Sequence, residues 1–219
     1  MLTLAEELLL LLLDDTSGHL ASISRSSLTC GLAGAVLMDL EIRGRIAAEA
    51  SGLAVLDQSP TGEALLDPYL VRLAAAPAPR DAQAWLRRVA AEGEALHDRA
   101  LARLIERGVL KEVCERFLWV LETRRYPILH DREQKEAKLR LLAVLLGDGS
   151  PDAHDTALIN LADVCGIFHL ILQERELAPI RARIAEVAAR DPIGRATAAV
   201  IHEIEADTEA AAAVLRGPM

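Results

Sequence analysis

Residues 156–172, Thr156-Ala157-Leu158-Ile159-Asn160-Leu161-Ala162-Asp163-Val164-Cys165-Gly166-Ile167-Phe168-His169-Leu170-Ile171-Leu172, read as a helix that is apolar on almost every face. Such a segment is buried in a protein interior or in a bilayer. A bilayer span needs about 20 predominantly apolar residues, and Asn160, Asp163 and His169 interrupt this one. The prediction is an all-α single domain over residues 1–219. Its most buried helix, at 153–175, is wrapped by amphipathic ones. Composition agrees: 52% of residues are hydrophobic and only 3% aromatic, a mixture of good helix formers poor in the residues that favour strands.

Working outward, Thr3 and Glu6 have capping-box spacing and start a first helix. Its leucine run, Leu8 to Leu13, lies between Glu6-Glu7 and Asp14-Asp15, the wrong flanking charge for a signal peptide. The spacing predicts a second helix over 28–46, where Gly31 and Gly34 permit close packing, and a small hairpin over 46–57. Ser59-Pro60-Thr61-Gly62 leads into a helix ending near Ala75. Ala76-Pro77-Ala78-Pro79 is too short to divide the chain. Asp81 caps a helix carrying Trp85, and Gly108 stops another that spans 94–107. A prominent hairpin is expected at about 116–130, with Glu122-Thr123-Arg124-Arg125 at its turn. Helix returns over 133–146, and Pro179 and Pro192 fit first-turn positions, the latter capped by Asp191.

The formal charge of −9 opposes nonspecific binding to nucleic acid or to an anionic bilayer except through a local basic patch. Cys30, Cys114 and Cys165 lack metal-site spacing and read as three buried thiols in a reducing compartment. No Gly-rich phosphate loop, G-x-S-x-G or HExxH is present. His154-Asp155 reads as a helix start, with Asp155 favourable at the positive end of the dipole. Asn160 and Asp163, one turn apart on the buried helix, must each meet a partner. His169 and His202 read as core histidines, and Glu203, Glu205, Asp207 and Glu209 as a solvated acidic face. No catalytic residue, metal ligand or cofactor site assembles, so the expectation is a non-enzyme.

Several phrases in order carry a family resemblance: Leu2-Thr3-Leu4-Ala5-Glu6-Glu7 with the leucine run; Gly31-Leu32-Ala33-Gly34 with Asp39-Leu40-Glu41-Ile42-Arg43-Gly44-Arg45-Ile46; Pro60-Thr61-Gly62-Glu63-Ala64-Leu65-Leu66-Asp67; and Glu106-Arg107-Gly108-Val109-Leu110. The series resembles the Golgi phosphoprotein 3-like family over nearly the whole chain. Abundant alanine and arginine suggest a bacterial-type member from a high-GC genome. The resemblance implies a helical domain with a protruding hairpin. In eukaryotic members it also implies recognition of phosphatidylinositol 4-phosphate and an adaptor role in recruiting membrane glycosyltransferases. With the sequence starting at the domain, no arginine-bearing extension for coat recruitment is expected.

Carried over by position, the family's headgroup-flanking Trp falls on Ser24 and three of its Arg residues fall on Ala33, Glu94 and His97. Arg25 and Arg99 lie beside the lost positions as the available cations. A phosphate group carries roughly two negative charges and favours Arg donors, so selectivity for phosphatidylinositol 4-phosphate is expected to be weak. Arg at 33, 94 and 97 is expected to restore it. The partner implied is an anionic membrane lipid, met from the cytoplasm on the inner face of a membrane. The expected contact is the hairpin bearing Trp119, Arg124, Arg125 and Tyr126, whose aromatics suit the interface. The same hairpin offers a contact to a protein partner or to a second copy of the chain. The alternative is a winged-helix-like DNA binder, in which an Arg-Arg tip acts as the wing. Glu92, Glu94, Asp98 and Glu106 in the would-be recognition region oppose it, so nucleic acid is not the expected partner.

Overall fold

The computed structural model describes residues 1–14, 17–49, 51–78, 80–117, 121–147 and 150–216. The first helix, α1 (Leu4–Leu12), starts at Thr3 with both halves of the capping box in place, and every one of its residues is buried. The leucine run is thus the centre of the molecule. α2 (Arg25–Ile42) lies against it, capped by Ser24 and buried over most of its length. A hairpin of β1 (Ile46–Glu49) and β2 (Gly52–Val55) follows, paired antiparallel from Ile46 with Val55 to Glu49 with Gly52. Next come α3 (Asp67–Ala75), α4 (Ala82–Ala90), capped by Asp81, and α5 (Gly93–Glu106), which ends ahead of Gly108 at φ 72°.

A second hairpin pairs β3 (Val113–Phe117) with β4 (Leu121–Arg125). The chain continues through α6 (Arg132–Leu146), α7 (Ala153–Val164), α8 (Phe168–Ile171), α9 (Glu174–Leu177), a 3-10 turn at Ala178–Ile180, α10 (Arg181–Ala188) and α11 (Pro192–Arg216). The architecture is therefore mainly helical, with two small two-stranded sheets, as predicted. One hydrophobic core runs through it, from Leu4 to Ile201.

The segment read as one central helix is two. Gly166 stands at φ 69°, its N–H donates to the Asp163 carbonyl at 2.9 Å, and the Ile167 N–H donates to the Ala162 carbonyl at 2.8 Å. This is the paired 6→1 and 5→2 closure that ends a helix at a left-handed glycine. α7 and α8 are consequently less buried than α1: Asp163, His169 and Leu170 are exposed. Asn160 meets its partner across helices, donating to Asp191 Oδ2 at 2.8 Å, not to Asp163. His202 is exposed as well, and so is Cys114, while Cys30 and Cys165 are buried.

Close approach at the two α2 glycines is observed. A Cβ on Gly34 would stand 2.7 Å from Thr197 Oγ1 of α11, and one on Gly31 would collide with Cys165 Sγ. The acidic pair in α1 is buried and neutralised from three sides. Glu6 receives the Thr3 N–H at 2.7 Å and Arg103 Nε at 3.2 Å. Glu7 faces His154 Nε2 at 2.9 Å and Arg140 Nη1 at 3.8 Å. The two charges ahead of the leucine run are thus tied to α5, α6 and α7, where they fix the packing of α1.

Candidate functional site

The start of α2, the start of α5 and the middle of α11 enclose an open cleft of about 620 Å³. Ser24, Arg25 and Thr29 form one wall, Glu94 a second, and Ile204 and Glu205 the third. α11 is held there by apolar contacts through Val200 and Ile201 and by an ion pair from Glu203 to Arg87 of α4. Within the cleft, Arg25 Nη2 lies 2.6 Å from Glu94 Oε1, both side chains being largely exposed. Glu205 Oε1 accepts from Ser24 Oγ at 3.0 Å and from Ser27 Oγ at 3.3 Å. Ser24 Oγ in turn accepts the Ser27 N–H at 3.0 Å as the α2 cap. The described lining therefore carries two carboxylates and one guanidinium, with Glu94 on Arg25 and Glu205 on the serines. Behind the wall, burial pushes the Cys30 thiol up, with a Thr29 hydrogen bond pulling the other way.

Of the positions carried over from the sequence, the fold gathers Ser24, Arg25 and Glu94 in this cleft. His97, on the α5 turn after Glu94, places Nδ1 3.0 Å from Asp98 Oδ1, and its Nε2 is buried with no hydrogen-bond partner among the described residues. Ala33 is fully buried in α2, so an Arg at 33 would be a buried charge rather than a restored ligand. Arg99 points away: its Nη2 donates to Tyr69 Oη at 2.7 Å, and the guanidinium sits over the Tyr69 ring, 5.7 Å from the centroid. Glu205 was not legible as a site residue. Its partners lie 181 and 178 positions earlier, and no local pattern signals such a contact.

The second hairpin corrects the predicted turn. Arg124 and Arg125 pair with Cys114 and Val113 at the base of the ladder, and the far pair is Phe117 with Leu121. Pairing also continues past the base, with the Lys111 N–H donating to the Pro127 carbonyl and the Leu129 N–H to that of Val109. The Arg pair is thus drawn into the strand and away from the turn. Trp119 lies outside the described residues. Tyr126, expected at the surface, is 8% exposed, and its N–H donates to the Gly18 carbonyl at 2.7 Å. Arg125 is half-buried, with Nη1 3.4 Å from the Ser17 carbonyl. Arg124 stays at the surface, 3.7 Å from Glu112.

Among the described residues, no group of three or more His, Cys, Asp or Glu side chains is arranged to hold a metal ion, and no helix is long and apolar enough to cross a membrane. A family model described as Golgi phosphoprotein 3 (GPP34) matches residues 4–204. The chain is 29% identical over 167 residues to vacuolar protein sorting-associated protein 74 of Eremothecium gossypii, an alignment covering 66% of this chain and 49% of that protein. It therefore spans about half the length of this curated relative.

Proposed function

The chain belongs to the Golgi phosphoprotein 3 family, and from that premise we propose that it is a non-enzymatic peripheral membrane or adaptor protein that meets anionic lipid from the cytoplasmic side. The observation that carries the reading is the family match, which runs from the first helix into the last. The relative's name ties that protein to vacuolar sorting; for this chain the corresponding task is docking and recruitment, not bond-making.

The cleft between α2, α5 and α11 supports a particular version of this function. Among its described lining residues the one cation, Arg25, is engaged by Glu94, and Glu205 adds a further negative charge. A phosphomonoester headgroup needs converging cationic or N–H donors, so the cleft does not select phosphatidylinositol 4-phosphate. Lipid contact then rests on general attraction to an anionic surface, to which each nearby cation adds about 1 kcal/mol. Arg124 is such a cation, with a side chain 65% exposed.

Flotation with phosphatidylcholine vesicles, with and without phosphatidylserine, tests the reading. Co-flotation with the anionic vesicles, weakened by salt, is the expected result. Protein left at the bottom of the gradient with both vesicle types at low salt would overturn it.

A further inference from the structure

α6 buries one face and leaves an apolar face uncovered. Gln134, Ala137, Leu141 and Leu145 turn inward, where the helix packs on α1 and α7. On the other side Lys135, Leu139, Leu142 and Leu146 follow at spacings of four, three and four, which aligns them along the helix. Leu139 and Leu146 are 66% and 72% exposed. Leu142 borders an open groove of about 420 Å³ between the end of α1, α6 and α8, and Leu170, 48% exposed, lines the same groove with Ile171. Three of the eight large hydrophobic side chains exposed among the described residues therefore share one patch. Single leucines scattered over a surface are ordinary, whereas a clustered patch marks a contact.

Charge indicates what that contact meets. The turns of α6 ahead of the leucines carry Arg132, Lys135 and Lys138, in a chain whose net charge is −9. Lys135 pairs with Asp131 at 2.5 Å, and Arg140 is drawn inward to Asp155 and Glu7. With Glu133 and Glu136 as its acidic residues, α6 holds four cations against two carboxylates, an excess opposite in sign to that of the whole chain. Cations beside an exposed leucine stripe suit a helix lying in the headgroup region with its apolar face at the acyl boundary. A second copy of the chain fits less well. Three partly exposed leucines supply a few hundred Å², short of the roughly 800 Å² per partner that a stable protein interface buries.

We propose that the exposed face of α6, continued by Leu170 of α8, is a membrane-docking surface that inserts Leu139 and Leu146 into an anionic bilayer while Arg132 and Lys135 meet its headgroups. The inference rests on the membrane reading above and gives it a hydrophobic component, on elements outside the α2, α5 and α11 cleft. So small an insertion holds a protein only together with electrostatic attraction. The surface therefore favours anionic over neutral membranes without recognising a particular headgroup.

The test compares the unmodified protein with the double variant Leu139→Gln/Leu146→Gln and with Leu56→Gln, a control at a leucine 62% exposed after β2. Glutamine keeps helix propensity and adds no charge, so electrostatic attraction is the same in all three. Each is checked by circular dichroism and light scattering, then titrated with phosphatidylcholine vesicles containing phosphatidylserine. The double variant should bind about tenfold or more weakly, as two leucine side chains withdrawn from hydrocarbon imply. Leu56→Gln should bind as the unmodified protein, and all three should have the same mass. Should the double variant fail to fold, Leu139→Trp supplies the test. Its added emission, taken as a difference from the unmodified protein, should shift to the blue on anionic vesicles, and an unshifted difference overturns the inference. Unmodified protein that ignores anionic vesicles overturns the membrane reading and the inference together. Unmodified protein that binds, with a folded double variant that binds equally, overturns the inference alone. So does an equal loss in Leu56→Gln, or a double variant that changes mass but keeps its affinity, which would make the patch an interface between copies.

Discussion

Asp39 gives the stability of this protein a definite pH dependence. Its carboxylate is 3% exposed and accepts the Leu4 N–H at 2.7 Å, tying α2 to the first turn of α1. Arg43 Nε stands 3.8 Å away. Burial dominates and pushes the Asp39 pKa from 3.8 up to about 6, against the opposing pull of the Leu4 hydrogen bond, Arg43 and His154, while Glu7 pushes it further up. At about 1.4 kcal/mol per tenfold change in proton affinity, this is worth about 3 kcal/mol. A carboxyl whose folded pKa is raised favours folding when protonated. Its contribution is greatest below about pH 4, declines as the pH rises through about 6, and is level above that. His154 acts in the same direction. Burial lowers its pKa, but the hydrogen bond and charge of Glu7 outweigh burial and leave it raised. The stabilisation from His154 is complete below about 6.5 and disappears as the pH rises through its folded pKa. Asp39→Asn keeps an oxygen for the Leu4 N–H and removes the titration. Urea unfolding of both proteins from pH 4 to 8 gives a difference curve in which the other carboxylates largely cancel. The unmodified protein should lose about 3 kcal/mol relative to Asp39→Asn across that range. A flat difference curve, or one of opposite slope, would refute the reasoning.

Gly34→Ala should lower the melting temperature. Its Cβ would stand 2.7 Å from Thr197 Oγ1 and 3.3 Å from Leu161 Cδ2, and displacing the buried Thr197 face of α11 costs about 1–3 kcal/mol; an unchanged melt would show that α2 and α11 do not pack this closely. Gln134→Leu should cost about 1–3 kcal/mol in a denaturant titration, because Gln134 Nε2 donates to the Leu10 and Leu13 carbonyls at 2.9 Å and 3.0 Å where α1 ends. Arg124→Glu should leave stability within about 0.5 kcal/mol while weakening flotation with phosphatidylserine vesicles. Equal flotation would remove the base of the hairpin from the membrane contact.

Elements with local punctuation were legible in the sequence. Thr3 with Glu6, Asp81, Asp191 and Gly108 each act through neighbours a few residues away, and each sets a helix end where the pattern puts it. The apolar run at 156–172 misled because hydrophobic periodicity does not register one left-handed glycine, and Gly166 divides the segment. The pattern gave the start of α1 but not the partners that bury Glu6 and Glu7, because Arg103, Arg140 and His154 arrive from distant helices. The hairpin was recognised, but its register was not. Arg124 and Arg125 resemble a basic tip, yet backbone pairing from Val109 onward fixes them at the base. Within the cleft, the replaced positions Ser24 and Glu94 could be named from resemblance. Ala33 could not be recognised as core, nor Glu205 as a wall, because both depend on how α2 and α11 pack.

Membrane association without phosphoinositide selectivity reduces to one ratio. The unmodified protein is titrated by vesicle sedimentation against two preparations of equal surface charge, one containing phosphatidylinositol 4-phosphate and the other phosphatidylserine. Similar affinities for both, each abolished on neutral phosphatidylcholine, are what the acidic cleft predicts. A preference of about tenfold or more for the phosphoinositide, the effect of one charge-assisted contact, would contradict it.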